Sequence, residues 1–324
     1  MSEQSTGRAE RREEYRELSA FITRITAELG RVIIGQDYMI ERLLIGLLTG
    51  GHVLLEGVPG LAKTLTVKSL ATCLALDFAR IQFTPDLLPA DLIGTMIFNQ
   101  QTRDFEPRKG PVFTDVLLAD EINRAPAKVQ SALLEAMQER QVTIEGETHV
   151  LGDPFMVLAT QNPLEQEGVY ALPEAQLDRF LIKLIIGYPS AEQELTVLQT
   201  HQRAVRAVEA VARPEQVLQL RAFVDGLHVD DELAQYIIRL ARFTREHPQV
   251  ELGASPRAAL ALFMASKARA ALHGRAFVLP DDIRALIVNV WAHRLILQPE
   301  AELSGVAAED ILRQALQKIR YAKA

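Results

Sequence analysis

The chain has 324 residues, of which 48% are hydrophobic and 24% are charged. This composition is ordinary for a folded globular protein and excludes an intrinsically disordered one, and the length leads us to expect two hydrophobic cores. The formal net charge of −7 argues against general electrostatic attraction to nucleic acid or anionic lipid, although a local basic groove is compatible with an acidic total.

The N-terminal segment, residues 1–20, mixes acids and bases without an apolar centre, so we expect a polar, partly frayed start rather than a secretory signal. No apolar run approaches the length that crosses a bilayer, which predicts a cytoplasmic protein with no membrane insertion. The single cysteine, Cys73, excludes an internal disulfide and a multi-cysteine metal site.

From residue 21 to residue 187, short apolar runs alternate with helical patterns, which predicts an α/β fold with a parallel sheet. The runs are apolar without alternation, as in strands that are covered on both faces. The predicted strands are His52–Glu56, Arg80–Thr84, Val116–Asp120, Phe155–Asn162 and Phe180–Ile186.

The patterns between these strands include helices after the first strand and after Pro126, a good first-turn residue. The segment Gln141–Leu151 differs, because apolar and polar residues alternate around a turn at 145–147. This pattern predicts a β-hairpin.

No strand pattern remains from Tyr188 onward, so residues 188–324 are predicted to form a smaller, all-helical domain. Several of its helices begin with Ser, Pro or Asp, which are typical of helix starts. The predicted helices are Ser190–Val208, Pro214–Leu227, Asp231–Glu246, Ser255–His273, Pro280–Ala292 and Ala307–Tyr321.

A glycine-containing loop joins the first predicted strand to a helix. Such a turn directs several backbone N–H groups at a phosphate, with the helix dipole assisting. Lys63 would reach the β- and γ-phosphates of a nucleoside triphosphate, and the hydroxyl of Thr64 would contact Mg²⁺. Ala62 replaces the last glycine of the usual motif, so we expect it at negative φ; a turn with an incidental lysine is the alternative. The candidate phosphate-binding residues are Gly57, Val58, Pro59, Gly60, Leu61, Ala62, Lys63, Thr64 and Leu65.

Polar residues follow the third and fourth predicted strands, where strands of a parallel sheet bring their carboxyl ends to one edge. Asp120 can hold Mg²⁺ through water, and Glu121 can orient or deprotonate an attacking water molecule. Asn162 could hydrogen-bond a γ-phosphate or that water. Taken singly, the acids also fit a solvated turn, and the asparagine also fits an ordinary loop.

Two arginines are further candidates. Arg179 stands just before the last predicted strand, and a guanidinium is the preferred donor to a developing phosphoryl charge. Arg257 stands at a predicted helix N-terminus, where a cation is unfavourable unless an anion lies nearby. Each also fits an ordinary surface arginine.

Together these segments resemble the MoxR family of AAA+ ATPases, over about residues 30–260 and in the order of the family. The resemblance implies a P-loop core with a parallel five-stranded sheet of order 5-1-4-3-2, an insert at roughly Leu92–Gly110 and a C-terminal helical lid. The segments that carry it are Val32–Gln36, Gly57–Thr64, Thr84–Gly94, Asp120–Pro126, Ala159–Pro163, Leu172–Phe180 and Gly253–Arg257.

By the same resemblance, Gly35 and Gln36 lie near adenine, Asn162 is the residue called sensor 1 and Arg257 is sensor 2. Arg179 is implied to be an arginine finger that one subunit donates to its neighbour in a ring, usually a hexamer.

The function implied is that of a chaperone-like ATPase, using ATP and Mg²⁺, that remodels or activates a partner protein, commonly one with a von Willebrand factor A domain. A nucleic-acid motor is the first alternative, but Glu145 and Glu147 flank the predicted hairpin turn where a strand-tracking loop favours Lys or Arg. A nucleotide-gated scaffold with little turnover is the second. Arg124 is typical of the family, without a physical case for a specific role.

Overall fold

The computed structural model describes residues 20–33, 35–58, 61–162, 170–188, 190–201 and 207–321. The predicted polar start therefore lies almost entirely outside the described residues. The elements of the first part of the chain are α1 (20–32), α2 (Asp37–Leu48), β1 (Val53–Glu56), α3 (Lys63–Cys73), β2 (Phe78–Gln82), α4 (Pro89–Ile93), β3 (Gly94–Asn99), β4 (Asp104–Lys109), β5 (Val116–Asp120), α5 (Ala127–Glu139), β6 (Gln141–Ile144), β7 (Glu147–Val150), β8 (Met156–Gln161), α6 (Glu174–Leu177) and β9 (Ile182–Ile185).

Five of these strands form one parallel sheet in the spatial order β2-β5-β8-β1-β9. Numbered along the chain, this is the order 5-1-4-3-2, so the prediction is confirmed. The second strand lies two residues earlier than predicted, at Phe78–Gln82. It is the half-exposed edge of the sheet, so its apolar pattern is broken and locates its ends poorly.

Successive residues of the central strands enter two different cores. Val53 and Leu55 of β1 belong to a cluster with α1, α2 and the later helices, whereas Leu54 belongs to a cluster with α5 on the opposite face. All three side chains are buried. The sheet is therefore covered on both faces, as its uniformly apolar strands predict.

Two antiparallel hairpins project from the core. The first, β3–β4, pairs Phe98 with Phe105 and occupies most of the implied insert. The second, β6–β7, is the hairpin predicted from alternation, which is confirmed. Its two turn residues, Glu145 and Gly146, both have positive φ, at 47° and 90°, as a tight two-residue hairpin turn requires.

The remaining elements form the predicted helical lid, which is confirmed. It also carries a short antiparallel strand pair that no sequence pattern predicted, because segments of three and two residues have no measurable periodicity. The predicted helix Ser190–Val208 is seen as far as His201, and 202–206 lie outside the described residues. None of the described helices is both long and apolar enough to span a membrane. The lid elements are α7 (Ala191–His201), α8 (Pro214–Gly226), α9 (Asp231–Glu246), β10 (Val250–Leu252), α10 (Pro256–Leu272), α11 (Pro280–Trp291), β11 (Ile296–Leu297), α12 (Pro299–Leu303) and α13 (Ala308–Lys318).

Candidate functional site

An open cavity of about 410 Å³ lies at the carboxyl-terminal edge of the sheet. This is the edge at which parallel α/β sheets bind ligands, and the volume is in the usual range for ligand clefts. The strands β1, β5 and β8 each end at it and deliver polar residues to it. The sequence-predicted residues that line it are Gly57, Leu61, Ala62, Lys63, Thr64, Leu65, Asp120, Glu121 and Asn162.

Lys63 is the first residue of α3 and lies against the loop that precedes this helix. Its Nζ donates a hydrogen bond to the carbonyl oxygen of Gly57 at 2.6 Å. Burial lowers the pKa of Lys63, against the opposing effect of the Asp120 and Glu121 carboxylates. A phosphate group in the cavity would offset that burial cost and could replace the carbonyl as acceptor.

Ala62 corrects one expectation. It has φ of 53°, in the left-handed region, rather than the negative φ that we expected. Its carbonyl oxygen accepts the hydrogen bond from Thr66 N at 2.9 Å that starts α3, so the loop must turn at this residue. A non-glycine residue in this conformation costs about 1–2 kcal/mol. Pro59 and Gly60 of the same loop lie outside the described residues.

Asp120, at the end of β5, uses both of its carboxylate oxygens. Oδ1 accepts a hydrogen bond from Thr160 Oγ1 at 2.5 Å, and Oδ2 accepts from Arg80 Nη2 at 2.8 Å and from Arg80 Nε at 3.1 Å. Thr160 Oγ1 also accepts from the backbone N–H of Glu121 at 2.8 Å. The two acids are therefore fixed relative to each other by a threonine of the neighbouring strand.

Glu121 leaves the strand in the left-handed conformation, with φ of 56°. Its Oε2 accepts from Gln82 Nε2 at 2.6 Å and from Arg124 Nη1 at 3.1 Å. Strained backbone of this kind is frequent at functional sites, because the surrounding contacts must hold it.

Sequence reasoning missed three residues of this network: Arg80, Gln82 and Thr160. Two of them stand at i and i+2 in a predicted strand, which is the spacing that puts side chains on one face. They lie at the end of the observed strand, Phe78–Gln82, but the predicted bounds put them at its start, so the two-residue error in its position hid them. Thr160 gives no signal of its own, since threonine is common in strands.

The donor groups fit Mg²⁺. The hydroxyl of Thr64 and the carboxylate of Asp120 line the same cavity, and both offer the hard oxygen ligands that this ion takes. The Arg80 guanidinium on Asp120 shows that this carboxylate accepts a cation from the cavity side. Within the described ranges no cluster of three or more His, Cys, Asp or Glu residues could hold a metal. This donor set suits an ion that keeps water and phosphate as its other ligands.

Asn162 follows β8 and lines the cavity with only 7% of its surface exposed. Five other predicted residues that the structure describes are not among those that line it. Val58 packs against the core, and Gly35, at φ of 75°, lies beside Gln193. Gln36 precedes α2 and accepts a hydrogen bond from the N–H of Ile40 at 2.9 Å. The remaining two are Arg179 and Arg257.

Arg179 lies at a different cleft. Its Nη1 donates to the carbonyl oxygen of Leu134 at 2.9 Å, and the half-exposed side chain lines a depression on the outer side of α5. Glu135 and Glu139 line the same depression. The guanidinium is therefore not directed at the cavity of its own chain.

Arg257, on the first turn of α10, is 58% exposed and lies 3.9 Å from Asp178 Oδ2. The other oxygen of Asp178 accepts from Arg294 Nε at 2.7 Å. Arg294 is buried and also donates to the carbonyl oxygens of Phe180 and Val290, at 2.9 and 2.6 Å. Arg294 of the lid thus bonds to the segment between α6 and β9, and the sequence analysis did not identify this arginine.

Comparison with known proteins agrees with this architecture. The profile described as "ATPase family associated with various cellular activities (AAA)" matches residues 52–182, and "AAA lid domain" matches residues 242–315. A crystal structure of a candidate ATPase from Cytophaga hutchinsonii superposes with a TM-score of 0.92 at 48% identity, covering 97% of this chain and 99% of that one.

Curated relatives give the narrower family. The chain is 45% identical to "Chaperone MoxR1" of Mycobacterium tuberculosis, over 92% of this chain and 81% of the relative. It is 33% identical to "Protein MoxR" of Paracoccus denitrificans, over 85% of this chain and 88% of the relative. With YeaC of Bacillus subtilis the identity is 46%, over 94% and 96% of the two chains. The chain belongs to the MoxR family of AAA+ ATPases.

Proposed function

We propose that the protein binds ATP with Mg²⁺ and hydrolyses it to ADP and phosphate. The observation that carries the proposal is the convergence of Lys63, Asp120 and Glu121 on one cavity at the carboxyl edge of the sheet. A cation, a carboxylate suited to a metal and a second carboxylate suited to a water molecule are the groups that hydrolysis of a triphosphate needs.

In the proposed mechanism, Lys63 leaves the carbonyl oxygen of Gly57 and donates to phosphate oxygens. Thr64 and Asp120 would hold Mg²⁺, which, when bound, neutralises charge on the phosphates. Glu121 accepts a proton from the attacking water and so raises its nucleophilicity. Asn162, buried at the end of the adjacent strand, donates to the γ-phosphate or orients that water.

The proposed active site is completed by a second copy of the chain. Arg179 is half-exposed and donates to a backbone carbonyl on the outer face of α5 rather than to groups of its own cavity. This orientation supports donation to a neighbouring subunit, and the family resemblance supports a ring, usually a hexamer. Arg257 would respond to nucleotide from the lid, with adenine near Gly35 and Gln36.

We propose a protein, rather than a nucleic acid, as the client of this ATPase. A relative that shares 45% identity is named a chaperone. Glu145 lies in the exposed turn of the β6–β7 hairpin and Glu147 follows it as the first residue of β7, and both carboxylates would repel a phosphate backbone. The family resemblance further suggests a client with a von Willebrand factor A domain.

Mixing two inactive variants tests both hydrolysis and its location. Lys63→Ala removes the phosphate contact and Arg179→Ala removes the proposed finger, and each variant alone is expected to release almost no phosphate. In mixed assemblies, an Arg179→Ala subunit keeps an intact Lys63 and can lie beside a Lys63→Ala subunit that keeps an intact Arg179. Such a boundary has both residues, so part of the phosphate release is expected to return. If the mixture stays as inactive as its components, donation between subunits is wrong. If wild-type protein releases no phosphate from Mg-ATP, hydrolysis itself is wrong.

A further inference from the structure

A closed ring of hydrogen bonds joins the two acids of the cavity through β2. Besides its bonds to Asp120 Oδ2, Arg80 Nη2 donates to Gln82 Oε1 at 2.9 Å. Gln82 Nε2 then donates to Glu121 Oε2 at 2.6 Å, and Thr160 closes the ring between the two acids. A change at Asp120 can therefore reach Glu121 through side chains as well as through the backbone.

The chemistry of the donors fixes the direction of this ring. A guanidinium only donates and a carboxylate only accepts, so the amide of Gln82 can satisfy both neighbours in one orientation alone. Its oxygen must face Arg80 and its nitrogen must face Glu121. Arg80 and Glu121 therefore favour the same orientation of the Gln82 amide.

Arg80 also occupies the carboxylate oxygen that a metal ion would approach. Thr160 takes Oδ1 of Asp120, so Oδ2 is the oxygen that faces the guanidinium and the cavity. The Arg80 side chain is 48% exposed, against 16% for Asp120, so the cation lies on the solvent side of the pair. Exposed pairs of this kind are weak, and two cations at one carboxylate repel each other.

We propose that Arg80 is a resident cation on Asp120 that Mg²⁺ displaces when Mg-nucleotide binds, and that its departure also breaks its hydrogen bond to Gln82. The inference rests on the proposed binding of Mg-ATP. Arg80 is then a positioning residue that holds Asp120 until the metal ion takes its place.

The first test measures the free Mg²⁺ concentration at which binding of the non-hydrolysable analogue AMP-PNP is half-maximally tightened, by calorimetry. Arg80→Gln is expected to lower this midpoint about two- to fivefold, because a weak competitor is removed. Arg242→Gln is the matched control, since it removes the same charge from an exposed arginine of α9, and it should leave the midpoint unchanged.

An Arg80→Gln midpoint equal to or above that of wild type would overturn the inference, because Arg80 would then support Asp120 for the metal. If AMP-PNP binds normally in that case, the proposed function stands. If wild-type protein binds no AMP-PNP at any Mg²⁺ concentration, the proposed function fails first and the inference fails with it.

A double-mutant cycle on melting temperature tests the departure of Arg80 without measuring activity. In chelator, the effects of Arg80→Gln and Gln82→Ala should be non-additive, because the two side chains are bonded. With saturating Mg-AMP-PNP the effects should become additive, because the bridge is broken. Additivity in chelator, or the same coupling in both conditions, would overturn the inference.

Discussion

The two ends of the central sheet use polar side chains in opposite ways. At the carboxyl end, Asp120 and Glu121 bond to other side chains around an open cavity. At the amino end, His52 is fully enclosed: its Nδ1 accepts from the N–H of Val157 at 3.0 Å and its Nε2 donates to the carbonyl oxygen of Met137 at 3.1 Å. Both ends are polar, and among the described residues the polar side chains of the carboxyl end surround a cavity.

The two ends of the sheet differ in the hydrogen-bond partners of their polar side chains. Arg140 and Arg221 at the amino end donate to backbone carbonyl oxygens, those of Phe155, Gly50 and Leu47. Arg221 also donates to Asp153 Oδ1 at 2.5 Å. Losing an arginine here removes a donor from a partly buried carbonyl oxygen, so we interpret these bonds as structural. At the carboxyl end each side-chain partner can be exchanged for a ligand atom. This contrast predicts that substitutions at one end change the reaction and that substitutions at the other change the free energy of unfolding.

Arg179 is the residue that could break this contrast, because it bonds to a carbonyl and yet is proposed to act in hydrolysis. Arg179→Ala should lower kcat of the assembled protein by about 10³-fold or more, the effect typical of an arginine finger. The affinity for AMP-PNP should change little, since Arg179 does not line its own cavity. Steady-state phosphate release and calorimetry measure the two quantities. A lower melting temperature with undiminished kcat would make Arg179 structural.

Glu121→Gln should lower kcat by about 10²–10⁴-fold, because the amide cannot accept a proton from water. The substitution is isosteric, so the hydrogen bonds at the strand end lose little and the melting temperature should shift by only a few degrees. Single-turnover phosphate release measures the first quantity and a thermal melt the second. Hydrolysis at the wild-type rate would remove Glu121 from the mechanism.

Arg140→Met tests the amino end. The change leaves the carbonyl oxygens of Phe155 and Gly50 without this donor, and should lower the free energy of unfolding by about 3 kcal/mol. Activity per folded molecule should stay near that of wild type. Urea unfolding gives the free energy, and active-site titration normalises the rate. A stable but inactive Arg140→Met variant would contradict the prediction that the amino end of the sheet has only a structural role.

The smallest effect concerns pH. Burial lowers the pKa of His52 to about 3, from an ordinary value of 6.5. Because the unfolded chain binds the proton more readily, this group contributes stability above about pH 6.5 that is lost as the pH falls toward 3. Between pH 7 and pH 5 the loss should be about 2 kcal/mol.

His52→Gln keeps a donor and an acceptor but does not titrate, so its stability should fall less steeply over the same pH range. His293, whose pKa burial also lowers to about 3, should leave part of the slope in place. Urea unfolding at several pH values measures both slopes. Parallel slopes for wild type and variant would show that His52 does not govern this loss.

The positions of Lys63, Asp120 and Glu121 could be predicted because each depends on a local signal, a glycine turn or an apolar run that ends in acids. The order of the sheet depends on long-range pairing and was implied only by the family resemblance. The left-handed conformations of Ala62 and Glu121 could not be predicted, because contacts formed only in the fold impose them. Arg294 gave no signal either, since one basic residue after a helix reads as surface until its partners from Asp178 and Phe180 are known.

The ion pair between Arg294 and Asp178 has a consequence for movement of the lid. The residue next to Asp178 is Arg179, so the lid holds the very stretch of chain that carries the proposed finger. If nucleotide at one cavity tilts the lid, that stretch must move with it or the buried guanidinium must give up its carbonyl partners. Within the proposed ring, nucleotide binding in one subunit would then move its Arg179, and so change the active site of the neighbouring subunit.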